Sequence, residues 1–444
     1  MKHQFAALAL LCVLAVSPLP AQSHLTFPVR IDTVLIFGND KTRDEVILRE
    51  IPFDFPDTLD MEDLQLIQNR LTNLFLFNRV ALSISPAGNH NFLIIEVTET
   101  LYMYPVPLIF INERDWDKLS YGFQIVHYNF RGMHELVNVG GWLGYNPSFF
   151  LNYRNPWLGK NARLILGVNL FGKFVRNKFF AFKERHLGGR LTLGKRLNLT
   201  TSIEATFSLR RIRFPEGKLR EIGLTPADVS VSDSPTDLVP KLKLTFKIDR
   251  RDLFEYPRKG YYVRWTVSRA GFSSDQPNFW RLDFDHRLYV KVSQRISLAG
   301  RNFTRLNFGH LPLYDRIFIG LEERIRGYFN RRFPALPTDP GQHLMMHNYE
   351  VRISLLPIKY LTWKNAPQSL KAFFQQLKYG LSLGLFMDSG IVWDRANPFA
   401  LNRHYTGYGL GLHVHLPYIY LLRIERAWND QGQGEWIVEA GVTF

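Results

Sequence analysis

The sequence predicts a mainly β protein: a sixteen-stranded transmembrane β-barrel preceded by one small α+β domain. Three observations point there. Beyond Tyr102, strand-like segments of about ten residues recur along the chain, and ten is the length a tilted strand needs to cross a bilayer. Within these segments apolar and polar residues alternate, so each strand presents one face to lipid and the other to an interior. Aromatic residues make up 14% of the chain, yet the mean hydropathy is only −0.14. Alternation hides hydrophobicity in this way, whereas a spanning helix needs ~18 consecutive apolar residues.

The first residues read as an export signal. Lys2 precedes an apolar run from Phe5 to Val16, followed by Ser17-Pro-Leu-Pro-Ala21. This is the basic, apolar and small-residue order of a cleaved signal peptide, assigned to residues 1–21. Pro18 and Pro20 stop the run short of a membrane anchor. The one cysteine, Cys12, lies inside the run behind Leu11, which is too large for a lipoprotein cleavage site. Disulfides and thiol catalysis are therefore excluded from the exported chain.

Residues 24–100 form the small domain. "VRIDTVLIFGNDKT" starts as a strand, and Thr42 is placed to cap the helix "RDEVILREI". After Pro52 and Pro56, Asp60 is positioned to cap a second helix that carries Leu64, Ile67, Leu71 and Leu74 at helical spacing. Two strands, "RVALSIS" and "FLIIEVTE", complete a strand, helix, helix, strand, strand order.

Residues 101–444 carry the barrel pattern. In "KLKLTFKID", Leu242, Leu244, Phe246 and Ile248 oppose Lys241, Lys243, Thr245, Lys247 and Asp249. "YGLSLGLFMD" sets Leu381, Leu383, Leu385 and Met387 against Gly380, Ser382, Gly384, Phe386 and Asp388, and "GLGLHVHLP" sets its leucines against His413 and His415. Trp142, Tyr145, Trp157, Trp393 and Trp428 lie near segment ends, where interfacial girdles belong. The candidate segments number about sixteen, an even count as a closed barrel requires. "NAPQSLKAFFQQLK" (365–378) reads as a short amphipathic helix between two strands. The net charge of +15 comes without a nucleic-acid-binding motif and is assigned to the lumen or to anionic lipid.

Several stretches then resemble one superfamily: the outer-membrane assembly and secretion barrels, also called the bacterial surface antigen or Omp85 superfamily. "IFGNDKT", Leu74, Phe77 and Val80 are similar to its POTRA domain. "IDRRDLFEYPRKGYY" resembles its mid-barrel signature, Ile325-Arg326-Gly327-Tyr328 its loop tetrad, and "LFMDSGIVW" its Phe-x-Asp-x-Gly element with Phe386, Asp388 and Gly390. "GLGLHVHLP" and Phe444 resemble the last strands and the terminal signal. The resemblance implies a bacterial outer-membrane location with a single POTRA domain in the periplasm. It further implies no enzymatic activity and no cofactor, and protein insertion or translocation as the function. The implied partners are unfolded outer-membrane or secreted clients, periplasmic chaperones or accessory proteins, and outer-membrane lipid, with no nucleic acid.

The resemblance also implies that the loop folds back into the barrel. If the leucines of "NYEVRISLL" and "YGLSLGLFMD" face lipid, Glu350 and Asp388 both point inward and repel one another unless a cation lies between them. Arg326 is then the residue that docks there, with Gly327 allowing close approach and Tyr328 packing beside it. Pro105 and Pro107 in "LYMYPVPLIFIN" cannot donate to a ladder, so the barrel is expected to close on Glu435–Phe444 through a weakly bonded seam, which the superfamily uses as a lateral gate. His413 and His415 lack a third ligand nearby in sequence and read as lumenal polar residues. Two other functions compete: a passive basic channel, and a scaffold that recruits periplasmic partners.

Overall fold

The computed structural model describes residues 27–112, 116–319, 325–328, 340–367, 374–418, 420–442 and 444. The expected signal peptide lies outside them, as do residues 368–373 of the helix expected over 365–378, whose last two residues instead begin a strand at Leu377. The alternating segments form one sixteen-stranded antiparallel sheet in chain order. After five strands of the N-terminal unit come β6 (Met103–Ile111), β7 (Leu119–Phe130), β8 (Glu135–Gly144), β9 (Ser148–Leu158), β10 (Leu164–Arg176), β11 (Lys183–Arg196), β12 (Thr201–Arg213) and β13 (Thr236–Asp249). The second half contains β14 (Gly260–Ala270), β15 (Asn278–Lys291), β16 (Ile296–His310), β17 (His343–Leu361), β18 (Leu377–Trp393), β19 (Tyr405–Leu416), β20 (Tyr420–Asn429) and β21 (Gly434–Ala440).

Register follows the alternation, because a slip by one residue would turn every leucine inward. Across the β13–β14 ladder Leu244 faces Val267 on one side of the sheet and Lys243 faces Ser268 on the other. The outer face exposes Leu242, Leu244, Trp265, Trp280, Leu385 and Trp436, while Asp285, Glu350, Asp388, His413 and Glu425 are buried inside. Trp157 departs from the expected girdle. It is buried, and the guanidiniums of Arg49, Arg163 and Arg196 lie 5.2–5.7 Å from its ring.

The two ends of the sheet differ from the expected closure. Among the described residues no ladder joins β6 to β21. Pro105 and Pro107 sit inside β6 without N–H groups to give. β21 is seven residues long, and Gly441, at φ +88°, turns the chain out of strand geometry after it. Phe444 then lies inside the barrel, its ring stacked on Tyr289 at 6.5 Å and packed with Ala299.

The N-terminal unit comprises β1 (Val29–Ile31), β2 (Thr33–Phe37), α1 (Asp44–Leu48), β3 (Asp57–Leu59), α2 (Met61–Thr72), β4 (Phe77–Ala87) and β5 (His90–Glu99). Its three-stranded sheet has the order β2-β5-β4 with β2 and β5 parallel, and β1 pairs with β3 separately. α2 begins in a reciprocal capping box between Asp60 and Asp63. Its apolar stripe buries Ile67 and Leu71 against Leu93, Ile95 and Val97 of β5. Thr42 does not cap α1, which starts after Arg43 without a side-chain cap. The Thr42 hydroxyl instead lies 2.8 Å from Tyr102 Oη and accepts from Asn129 Nδ2 at 2.9 Å. That contact belongs to a joint between the unit and the barrel.

The joint spreads over three turns of the barrel. Arg43 N donates to Gly132 O at 3.0 Å, Asn73 Nδ2 to Asp252 O at 3.0 Å and Asn78 Nδ2 to Gln375 O at 3.1 Å. His134 lies within it, where burial first, and then the charges of Arg49 and Arg196, push its imidazole down to about 3. The unfolded chain therefore takes up a proton near pH 6.5 that the folded joint refuses, so stability falls as pH drops from 6.5 towards 3. Limited proteolysis of the N-terminal unit across that range is expected to accelerate by up to about tenfold per pH unit, the limit for one proton. His134→Asn is expected to flatten that slope, and an unchanged slope would show that another group carries it.

Candidate functional site

Between β16 and β17 the segment Ile325–Tyr328 enters the lumen and docks on the wall formed by β17 to β21. Arg326 is 3% exposed. Its Nε and Nη2 form a fork on Asp388 of β18, at 2.7 and 2.8 Å, and its backbone N donates to the same carboxylate at 3.1 Å. Nη1 donates to Glu350 Oε2 of β17 at 2.8 Å and to Glu425 Oε1 of β20 at 3.1 Å. The guanidinium carbon stands 3.6 Å from the centre of the Phe386 ring, so its flat face, which donates no hydrogen bonds, is covered too. A planar fork with five donors is what lets one residue bridge three strands.

The acids have second partners. Glu350 Oε1 accepts from Arg352 Nε at 2.7 Å, and Arg352 Nη1 donates to Pro257 O at 3.0 Å. Glu425 Oε2 accepts from Arg423 Nη1 at 2.8 Å, and Arg423 reaches Glu439 of β21 at 2.8 Å. Three buried guanidiniums thus meet the three buried carboxylates Glu350, Asp388 and Glu425. His413 adds Nε2 at 3.4 Å from Glu425 Oε1, and its Nδ1 lies 2.9 Å from Tyr256 Oη. Glu350, His413 and Glu425 bring donor atoms within 4.8 Å of one another, as a metal site would. Here Arg326 Nη1 sits between the two carboxylates, so the cation is a guanidinium.

Glycines make the approach possible. Gly327 has φ +100°, and its N donates to Glu435 Oε1 of β21 at 2.7 Å. A Cβ at Gly407 would stand 1.7 Å from Arg326 O, and one at Gly390 would stand 2.6 Å from Ile325 Cδ1. Ile325 and Tyr328 are fully buried in a cluster with Phe303, Ile319, Leu344 and Met346. The Tyr328 ring meets Tyr405 edge-on at 5.3 Å, and its hydroxyl donates to Asp430.

A family model described as the Omp85 superfamily domain matches residues 129–444. The chain belongs to the Omp85 superfamily. The outer membrane protein assembly factor BamA of Nitratidesulfovibrio vulgaris is 21% identical over 377 residues, which cover 84% of this chain and 45% of that protein. This Omp85 chain therefore spans less than half of that curated relative. Among solved structures, BamA from Haemophilus ducreyi lacking POTRA domains 1–3 superposes over 93% of this chain and 83% of that one, at 16% identity and a TM-score of 0.51. CdiB from Escherichia coli covers 94% and 75%, at 13% identity and a TM-score of 0.53. These two likenesses are of fold: an outer-membrane β-barrel with a POTRA-like α+β unit.

Of the residues singled out in the Omp85 sequence, Ile325, Arg326, Gly327, Tyr328, Glu350, Phe386, Asp388 and Gly390 come together at this dock. Phe444 packs against Tyr289 of β15 and meets the network at its edge, with the Arg352 guanidinium 5.7 Å from its ring. Sequence reasoning missed Glu425 and Glu435, which bring the last two strands into the network, and Gly407. The signal for Glu425 was present in "LLRIERAWN", where Arg423 and Glu425 share the inward face with Leu421 and Ala427.

Removing one partner of a buried charge network costs about 3–5 kcal/mol, because the others stay buried and unpaired. Arg326→Ala is expected to lower the unfolding temperature of the barrel on heated gels and to open residues 325–328 to protease. Glu425→Gln keeps the shape but removes one of three charges, and its expected effect is smaller. Equal, negligible shifts for both variants would show that the network does not hold the loop.

Proposed function

We propose that this chain is an outer-membrane protein that inserts other proteins into the membrane or moves them across it. Its POTRA-like unit (24–100) stands in the periplasm, and the seam between β6 and β21 of the barrel (101–444) is the place where a client strand pairs. The observation that carries this reading is that no ladder joins the first and last strands among the described residues. A strand edge inside a bilayer leaves backbone N–H and C=O groups without partners, at several kcal/mol each. An incoming strand satisfies them by β-augmentation. No nucleotide or metal is required, and no enzymatic step.

The relatives support the same class of activity: one is named an assembly factor for outer-membrane proteins. Unfolded outer-membrane or secreted polypeptides are the clients this reading implies, with chaperones or accessory proteins meeting the POTRA-like unit. The passive channel is the weaker reading, because Ile325–Tyr328 occupy the lumen beside β17–β21. The scaffold reading gives no role to strand ends that no ladder joins among the described residues.

Cysteine pairs placed along β6 and β21 test the proposal in reconstituted vesicles. Oxidation is expected to reduce client insertion or secretion more than tenfold, with the barrel still migrating as folded on unheated gels and activity returning on reduction. Full activity in the locked form would overturn the reading.

A further inference from the structure

Where α2 faces the mouth of the barrel there is a cavity of about 950 Å³. Leu66 and Asn69 of α2 form one flank, and the barrel wall forms the other. Some of its cations are matched: Arg70 with Glu50 at 2.5 Å, Arg251 with Asp249 at 2.8 Å and Arg154 with Glu204 at 2.9 Å. Arg196, Lys247, Arg250, Lys259 and Lys291 also line it, and among the described residues these five have no carboxylate partner. Arg196 rests on Trp157 at 5.5 Å and donates to Pro156 O at 3.1 Å, neither of which neutralises it. The acids of the cavity are largely engaged already. Glu50 and Asp249 are in the pairs above, Asp63 caps α2, and Asp252 accepts from the amides of Leu253 and Arg258 at 2.8 and 2.9 Å.

The surplus continues up the inside of the barrel. On β13, Lys247, Lys243 and Lys241 project inward, alternating with Phe246, Leu244 and Leu242 outside. Lys243 and Lys241 likewise form no ion pair among the described residues, and the carboxylates that act on them, Glu204, Asp283 and Asp315, are already paired with Arg154, Arg305 and Arg210. Across the lumen, each of the three guanidiniums of the dock on β17–β20 is met by carboxylates. One wall therefore carries uncompensated positive charge from the cavity inward, and cations crowded in a confined, partly desolvated space repel unless an anion joins them.

The spacing selects the kind of anion. Inward residues on a strand repeat every ~6.7 Å, and Lys241 to Lys247 spans about 20 Å. An extended polypeptide has the same repeat between alternate side chains, whereas a phosphate or a lipid headgroup is compact and meets only one end of the row. The row also faces away from lipid. We infer that the cavity and the β13 lysines bind an extended acidic polypeptide segment. The inference deepens the transport reading by naming the charge class of the client, and it is measured without transport.

Fluorescein-labelled decapeptides of alternating Glu-Ser and Lys-Ser, titrated into the full-length protein in a neutral detergent, provide the test. Anisotropy is expected to show binding of the acidic peptide only, weakening steeply as salt shortens the Debye length. The double variant Lys243→Glu, Lys247→Glu is expected to lower affinity at least tenfold, while Lys243→Arg, Lys247→Arg preserves it. Should the reversal prevent folding, Lys259→Gln, Lys291→Gln at the water-exposed mouth is expected to weaken binding at least threefold. Equal binding of both peptides, indifference to charge reversal, or displacement by tripolyphosphate at matched charge would overturn the inference. No binding of the acidic peptide by the unaltered protein, with its client insertion intact, rejects this inference alone. Peptide binding intact with an active locked seam rejects only the transport reading.

Discussion

A guanidinium removed from water can be held only where carboxylates replace what water supplied, and the second half of this barrel is organised around that requirement. Arg326 uses every side of its plane: Asp388 on the fork, Glu350 and Glu425 on the remaining nitrogen, Phe386 on the face. Because the acids come from β17, β18 and β20, the loop fastens separate strands together from within. Gly327 extends the grip to β21 through Glu435. The final strands, which lack a ladder to β6, are thus secured on the lumenal side instead.

The seam and the dock are in this sense complementary. Among the described residues no ladder joins β21 to β6, whereas inward side chains of β20 and β21 meet the loop. Well-paired buried charges fix one geometry at high cost of alternatives. The edge itself stays available for pairing while the strands behind it do not drift.

Lipid made much of this legible in the sequence. A strand facing hydrocarbon cannot hide a wrong residue, so the alternation in "KLKLTFKID" or "YGLSLGLFMD" reports the inward face directly, and with it the inward placement of Asp388. Glu350 follows from the same argument on its neighbour. Contacts that cross many strands leave no such trace. The segment with Glu425 alternates like the others, yet nothing local says that its acid meets a loop about 100 residues away. Thr42 looked like a cap because capping is a local rule, and tertiary bonding to Tyr102 and Asn129 took precedence. Trp157 looked like an interfacial residue because it sits near a strand end, and three arginines at the joint claimed it instead.

The turn from β13 to β14 holds the N-terminal unit at one end and the dock at the other. Asn73, the residue that ends α2, is bonded to Asp252 O and Phe254 N, and a few residues on, Tyr256 lies under Arg352 at 4.5 Å while Pro257 O receives it. Three residues of chain reach about 10 Å at full stretch, so this tether has little slack. Rocking α2 by more than a few ångströms drags the peptide group that steadies Arg352, and Arg352 steadies Glu350. Tension placed on the N-terminal unit therefore has a route, through a single short stretch of backbone, to the acid that clasps the loop.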